Sequence, residues 1–232
     1  PVPARIAAAI RPDDIHEPRT TLICMENALA NGRVVPIKTM REIYEIAHAH
    51  DIPVHLDGAR IFNAAASLGV DVKELTRYTD TLTCCLSKGL CAPVGAIFAG
   101  TRETVERARR YRKMLGGGMR QNGILAAAGL IALEKMPERL HEDHENAHYL
   151  ATLLQEIPGI TVNPEEVEIN MVFCTIDRPL PVLESLPERM KEYGMLIGGY
   201  EEGQFRFVTN HGVTRANVEQ LAKALREVLA EA

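Results

Sequence analysis

Two short segments hold side chains whose types and spacing could do chemistry. They are the run HLDGAR, with His55, Asp57, Gly58 and Arg60, and the run SKGLCAPVG, with Lys88, Gly89, Pro93 and Gly95. Asp57 and Lys88 each stand at or just past the end of a short apolar run that predicts a strand. In an open parallel sheet, ligands collect at the carboxyl ends of the strands, so both residues are expected on the catalytic edge, on different strands. Lys88 has two readings: a surface lysine capping a loop, or an amine in a partly desolvated pocket whose neutral form attacks a carbonyl. Gly89 and Gly95 would permit close backbone approach to a ligand, and Pro93 would stiffen the loop. Asp57 is either the N-cap of a helix beginning near Arg60 or a buried carboxylate that keeps a ring nitrogen protonated. A Schiff-base lysine and an aspartate on a pyridine nitrogen are together what pyridoxal phosphate needs.

Other candidates read as structural. His141, His144 and His148 share one helix face by their spacing. A metal site there would need a further ligand, and a solvated face with Glu142, Asp143 and Glu145 is the preferred reading, so no metal is expected. His55 alternates with apolar neighbours and fits a hydrogen-bonded core histidine. The five cysteines form no CxxC pair, and Cys84 and Cys85 fall inside an apolar run. That pattern favours reduced thiols and a cytoplasmic location.

The elements that must position these residues follow from periodicity. Apolar runs at 21–25, 53–57, 81–86 and 95–99 predict strands, and they alternate with helical patterns at 38–50, 60–68 and 102–113. Gly69 is placed to end the second of these helices. This alternation predicts an α/β domain with a mainly parallel sheet flanked by helices. Gly116, Gly117 and Gly118 break the pattern, and a small-residue helix follows at 124–134. Its Ala126–Gly129 stretch suits close helix contact or packing on the sheet. Pro137 suits the first turn of a helix running to about Glu156. Strands at 169–176 and 204–209, with helices at 182–193 and 214–230, make a smaller α+β domain. The domain boundary is therefore expected at 136/137.

Composition excludes several classes. Of the 232 residues, 46% are hydrophobic and 25% charged, which is ordinary for a globular protein and unlike a disordered tail or disulfide scaffold. The net charge is −5 with no unbroken basic cluster, which argues against nucleic acid or an anionic membrane as partner. The longest apolar run, 124–133, is too short to span a bilayer.

The segments HLDGARIFNAA (55–65), CLSKGLCAPVGA (85–96), RKMLGGGMRQNG (112–123), DHENA (143–147) and NMVF (170–173), in this order, resemble the low-specificity L-threonine aldolases. These are pyridoxal-phosphate lyases of the aspartate-aminotransferase-like fold, fold type I. The resemblance implies that Lys88 bonds the cofactor, that Asp57 partners its ring nitrogen, and that Arg60 holds the substrate carboxylate. Arg206, in FRFVT, matches a second carboxylate-binding arginine, and Arg120 a supporting residue near the cofactor. It implies cleavage of a β-hydroxy-α-amino acid, L-threonine or L-allo-threonine, to glycine and acetaldehyde, in a homo-oligomer. The alternatives are another fold-type-I enzyme, a β-eliminating lyase or a transaminase, or a cofactor-free fragment that serves as a binding or assembly module.

The chain departs from the family in places. The family's Gly/Thr-rich phosphate turn and ring-stacking histidine precede the region matched here, so the large domain, residues 1–136, is expected to be incomplete. Where the family has Glu-Asn-Thr-His, this chain reads Glu26-Asn27-Ala28-Leu29. Where the family has Thr-His after the second arginine, it reads Thr209-Asn210-His211.

Overall fold

The computed structural model describes residues 1–231. Two compact units form, one from Pro1–Ala30 with Val34–Glu138, the other from Asn31–Arg33 with the chain from Arg139 onward.

The first unit runs α1 (Pro3–Ala9), β1 (Ile23–Glu26), α2 (Ile37–His48), β2 (Val54–Asp57), α3 (Ile61–Leu68), α4 (Val72–Thr76), β3 (Thr81–Cys85), β4 (Ala96–Ala99), α5 (Arg102–Met114) and α6 (Gly123–Glu134). Its four strands lie in the order β1-β2-β3-β4. The first three are parallel, and β4 returns antiparallel on β3. The reversal has a simple cause. Residues 86–95 carry no helix, and a parallel crossover needs about a dozen residues or more.

Val54 and Leu56 are fully buried, and Met40, Ile43 and Ala47 of α2 form an apolar stripe at spacings of three and four. Each such aliphatic or Met side chain contributes roughly 1.5–3 kcal/mol by leaving water. Gly69 ends α3 in the left-handed conformation, φ 65°, where a side chain would be strained. Helix α6 is less covered. Gly129 faces Leu86 so closely that an added β-carbon would sit 3.2 Å from Leu86 Cδ1, while Ile124, Leu130 and Ile131 remain exposed.

A 3-10 turn at Pro137–Arg139 spans the boundary between the units in the chain and precedes α7 (Leu140–Gln155) of the second; the turn occupies the place expected for the first turn of that helix. Then come β5 (Ile160–Thr161), β6 (Met171–Ile176), α8 (Leu180–Lys191), β7 (Phe205–Val208) and α9 (Arg215–Ala230). The three strands form an antiparallel sheet in the order β5-β6-β7. Its core gathers Val172, Cys174 and Phe205 from the strands with Leu150, Leu186 and Leu225 from α7, α8 and α9. Thr214 and Asn217 make a reciprocal capping box that starts α9. The short elements α1, α4 and β5 were not expected, because a helix of one or two turns or a two-residue strand carries too little periodicity to read. Among the described residues, no helix is long and apolar enough to cross a membrane.

Candidate active site

The first unit brings Asp57 and Lys88 to one edge of its sheet. Asp57 is the last residue of β2, and Lys88 lies three residues past the end of β3, the adjacent parallel strand. In register Asp57 stands opposite Thr83. Past the ladder, Gly58 N–H donates to the Thr83 carbonyl at 2.8 Å. Asp57 does not cap α3; Arg60 occupies that cap position, with no side-chain cap bond. The Asp57 carboxylate instead accepts the Ala59 N–H through Oδ1 at 3.0 Å, closing a local turn that fixes it at the strand end.

The loop after β3 is tied by its own backbone. Leu86 N–H donates to Gly95 O, Ala92 N–H to Leu86 O and Cys91 N–H to Lys88 O, each at 2.9 Å. Gly95 adopts φ 124°, as its type allows, and Cys91 also takes a left-handed conformation, φ 59°. This bonding leaves the Lys88 side chain exposed, and Asp57 is exposed too. Of the readings left open by the sequence, the partly desolvated amine and the buried carboxylate are not formed within this chain alone, where the loop folds onto itself. A cavity of about 460 Å³ in this unit is lined by Arg11, Arg19, Thr20 and His50, which precede β1 and β2 at the opposite edge.

His55 is half-buried, with Nδ1 2.8 Å from Thr81 Oγ1 on the neighbouring strand. Arg60 is half-buried at the start of α3. Arg120 is exposed in the segment between α5 and α6. That segment begins with a tight reversal, in which Gly117 N–H donates to Arg112 O at 2.7 Å and Gly116 has φ 90°.

Arg206 belongs to the second unit. It lies on the edge strand β7, paired with Phe173 and exposed between the buried Phe205 and Phe207. It lines a largely apolar cavity of about 400 Å³ with Met195, Ile197, Val208 and Leu221.

On α7 His141, Glu142, Glu145 and His148 are exposed, as expected of a solvated face, but Asp143 and His144 depart from it. Asp143 is fully buried and receives two hydrogen bonds from Arg139, at 2.7 and 3.1 Å. His144 is half-buried, and burial pushes its pKa down to about 4, with Asp143 opposing the shift and His141 adding to it. Asp143 is three residues from Leu140 and four from Ala147, both buried, so it falls on the inward stripe. The sequence alone assigned no role to Arg139, Asn170 or Thr209; for Arg139 the i,i+4 spacing to Asp143 was the available signal. Among the described residues, no group of three or more His, Cys, Asp or Glu is placed to hold a metal ion.

Comparison with known proteins places this arrangement in context. The family model described as beta-eliminating lyase matches residues 2–177. A low specificity L-threonine aldolase of Escherichia coli K12 is 42% identical over 226 residues, a match covering 97% of this chain and 66% of the relative. The chain thus spans just under two thirds of that relative's length. A solved threonine aldolase of Leishmania major aligns with TM-score 0.74 at 18% identity, covering 98% of this chain and 67% of its own. A PLP-dependent aminotransferase of Streptococcus suis aligns with TM-score 0.72 at 21% identity, covering 100% and 61%. These likenesses establish the fold of the pyridoxal-phosphate enzymes, a mainly parallel sheet flanked by helices with a smaller α+β part, and the family match is carried by most of the chain. The chain belongs to the beta-eliminating lyase family.

Proposed function

We propose that this chain is the greater part of a pyridoxal-phosphate-dependent carbon–carbon lyase that cleaves L-threonine or L-allo-threonine to glycine and acetaldehyde. The observation that carries the proposal is the placement of Lys88 and Asp57 at the carboxyl ends of adjacent parallel strands, in a chain 42% identical to a low specificity L-threonine aldolase.

The donor set at this edge fits the cofactor. Lys88 offers a primary amine, Asp57 a carboxylate anchored by the Ala59 N–H, and the close Gly58–Thr83 contact fixes the backbone between β2 and β3. When bound, pyridoxal phosphate supplies an electron sink for the electrons of the breaking Cα–Cβ bond. Lys88 would hold it covalently, and Asp57 would keep its ring nitrogen protonated. Arg60 and Arg206 are each assigned to a substrate carboxylate, which a planar guanidinium can grip with two parallel hydrogen bonds. Arg120 is assigned a supporting role near the cofactor. In this reading residues 1–136 are part of the cofactor-binding large domain and residues 137–232 form the small domain.

The exposed apolar side chains of α6, Ile124, Leu130 and Ile131, support a homo-oligomer, dimer or tetramer. Free cysteines at 24, 84, 85, 91 and 174 support a cytoplasmic setting.

Product analysis tests the reaction. Glycine with acetaldehyde supports aldol cleavage. Ammonia with a keto acid would favour β-elimination, the reading that the family description supports. No visible absorption band on adding pyridoxal phosphate to a protein of full family length would leave the cofactor-free module.

A further inference from the structure

We infer that Thr209 and Asn170 are positioning residues for Arg206, anchored through the buried Asp143–Arg139 pair. The inference rests on the proposed role of Arg206 as a carboxylate ligand. The described buried polar residues are Asn27, Asn63, Asp143, Asn170 and Thr209, and three of these five converge where β7 ends. Thr209 N–H donates to Asn170 O at 3.0 Å, and Asn170 Nδ2 donates back to Thr209 O at 2.7 Å. Thr209 Oγ1 donates to the Asp143 carbonyl on α7 at 2.6 Å. Asp143 is in turn held by Arg139 at 2.7 and 3.1 Å.

The position of this cluster explains what it does. β7 is an edge strand, four residues long and paired to β6. Such a strand is prone to fray and to slip in register, and a slip of one residue would turn Arg206 inward and Phe205 or Phe207 outward. The Asn170–Thr209 exchange continues the β6–β7 pairing beyond Val208 and locks its register. The Thr209 hydroxyl bond then fixes the strand end to α7. Arg206 lies three residues before Thr209 and pairs with Phe173, so its backbone is held between the β6 ladder and the fixed strand end. Apolar packing alone would seal this core without buried amides and a hydroxyl, which cost free energy when unpaired and fix geometry when paired.

A double-mutant cycle in the holoenzyme of full family length tests the inference, using amino-acid KM and kcat together with glycine titration of the cofactor's visible band. Thr209→Val keeps the shape and removes the hydroxyl. It is expected to raise KM and the glycine Kd about tenfold, with kcat and the unliganded band nearly unchanged, whereas Thr209→Ser restores both to within about twofold. In an Arg206→Ala background, Thr209→Val is expected to change the glycine Kd by less than about twofold, because the arginine it acts through is gone. Asn170→Asp, which removes the Nδ2 donor at constant size, takes the place of Thr209→Val if that variant does not fold, with the same expectations. A first variant that leaves the glycine Kd unchanged, or whose effect multiplies fully with Arg206→Ala, overturns the positioning role. If Arg206→Ala itself leaves the glycine Kd unchanged, the carboxylate assignment fails first and the inference falls with it.

Discussion

Gly58 donates its N–H to the Thr83 carbonyl at 2.8 Å, and a β-carbon on Gly58 would lie 2.8 Å from that same oxygen. The contact joins β2 to β3 immediately beyond Asp57. A side chain cannot enter without moving one strand end. Gly58→Ala is therefore expected to destabilise the fold by about 1–3 kcal/mol, read by urea unfolding of this chain. It should also weaken cofactor binding in the complete enzyme, because Asp57 would move with its strand. Unchanged unfolding and an unchanged cofactor Kd would contradict this account of the strand junction.

Arg60 and Arg206 should be separable from the cofactor. Arg60→Ala and Arg206→Ala are each expected to cost on the order of 2–4 kcal/mol in kcat/KM through the lost charge-assisted contact. The cofactor's absorption band should survive both changes. Arg60→Lys should not rescue, because an ammonium cannot reproduce the planar fork. Loss of the band in Arg60→Ala would move Arg60 to the cofactor's own site.

Arg139 and Asp143 form the buried ion pair of the second unit, with side chains 16% and 0% exposed. Removing Arg139 strands Asp143 away from water, whereas Arg139 has a second partner in Glu142 at 3.2 Å. Arg139→Met is expected to destabilise the chain by about 3–5 kcal/mol, while Arg139→Met combined with Asp143→Leu should recover most of the loss. Chemical denaturation of the single and double variants checks this. A double variant as unstable as the single one would place the cost elsewhere.

His144 makes stability depend on pH. Burial pushes its folded pKa down to about 4 from the usual 6.5, with Asp143 opposing and His141 reinforcing. The unfolded chain therefore binds more protons than the folded chain between those values. Stability is full above the unfolded pKa and falls as pH drops toward 4. The loss from this group is roughly 3 kcal/mol at most. Thermal unfolding at several pH values should show a shallower slope over this window for His144→Gln than for the wild type. Equal slopes would remove His144 as a cause.

The positions of Asp57 and Lys88 were legible in the sequence because one ends and the other follows a short apolar run that reads as a strand. Gly69 was legible for a similar reason: a helix pattern ends there and the left-handed turn needs a glycine. The direction of β4 was less so, since it follows from the length of the 86–95 connection and not from the strand's own residues. The burial of Asp143 was missed because charge outweighed its place on the stripe of Leu140 and Ala147. The sequence left the exposure of Lys88 open between two readings, because solvent access depends on what the loop bonds to, and the Leu86–Gly95 pairing has no local signature. The clamp on β7 joins residues 66 and 39 positions apart, a separation that no periodicity reports.

The central claim is that Lys88 holds pyridoxal phosphate in a lyase of β-hydroxy-α-amino acids. The most direct measurement is the visible absorption spectrum of the complete holoenzyme and of its Lys88→Ala variant, before and after borohydride reduction, with mass spectrometry of the peptide carrying residue 88. The account predicts a visible band in the wild type, a reduced cofactor adduct on Lys88, and neither in the variant. An unaltered band in Lys88→Ala, or an adduct on a different lysine, would contradict it.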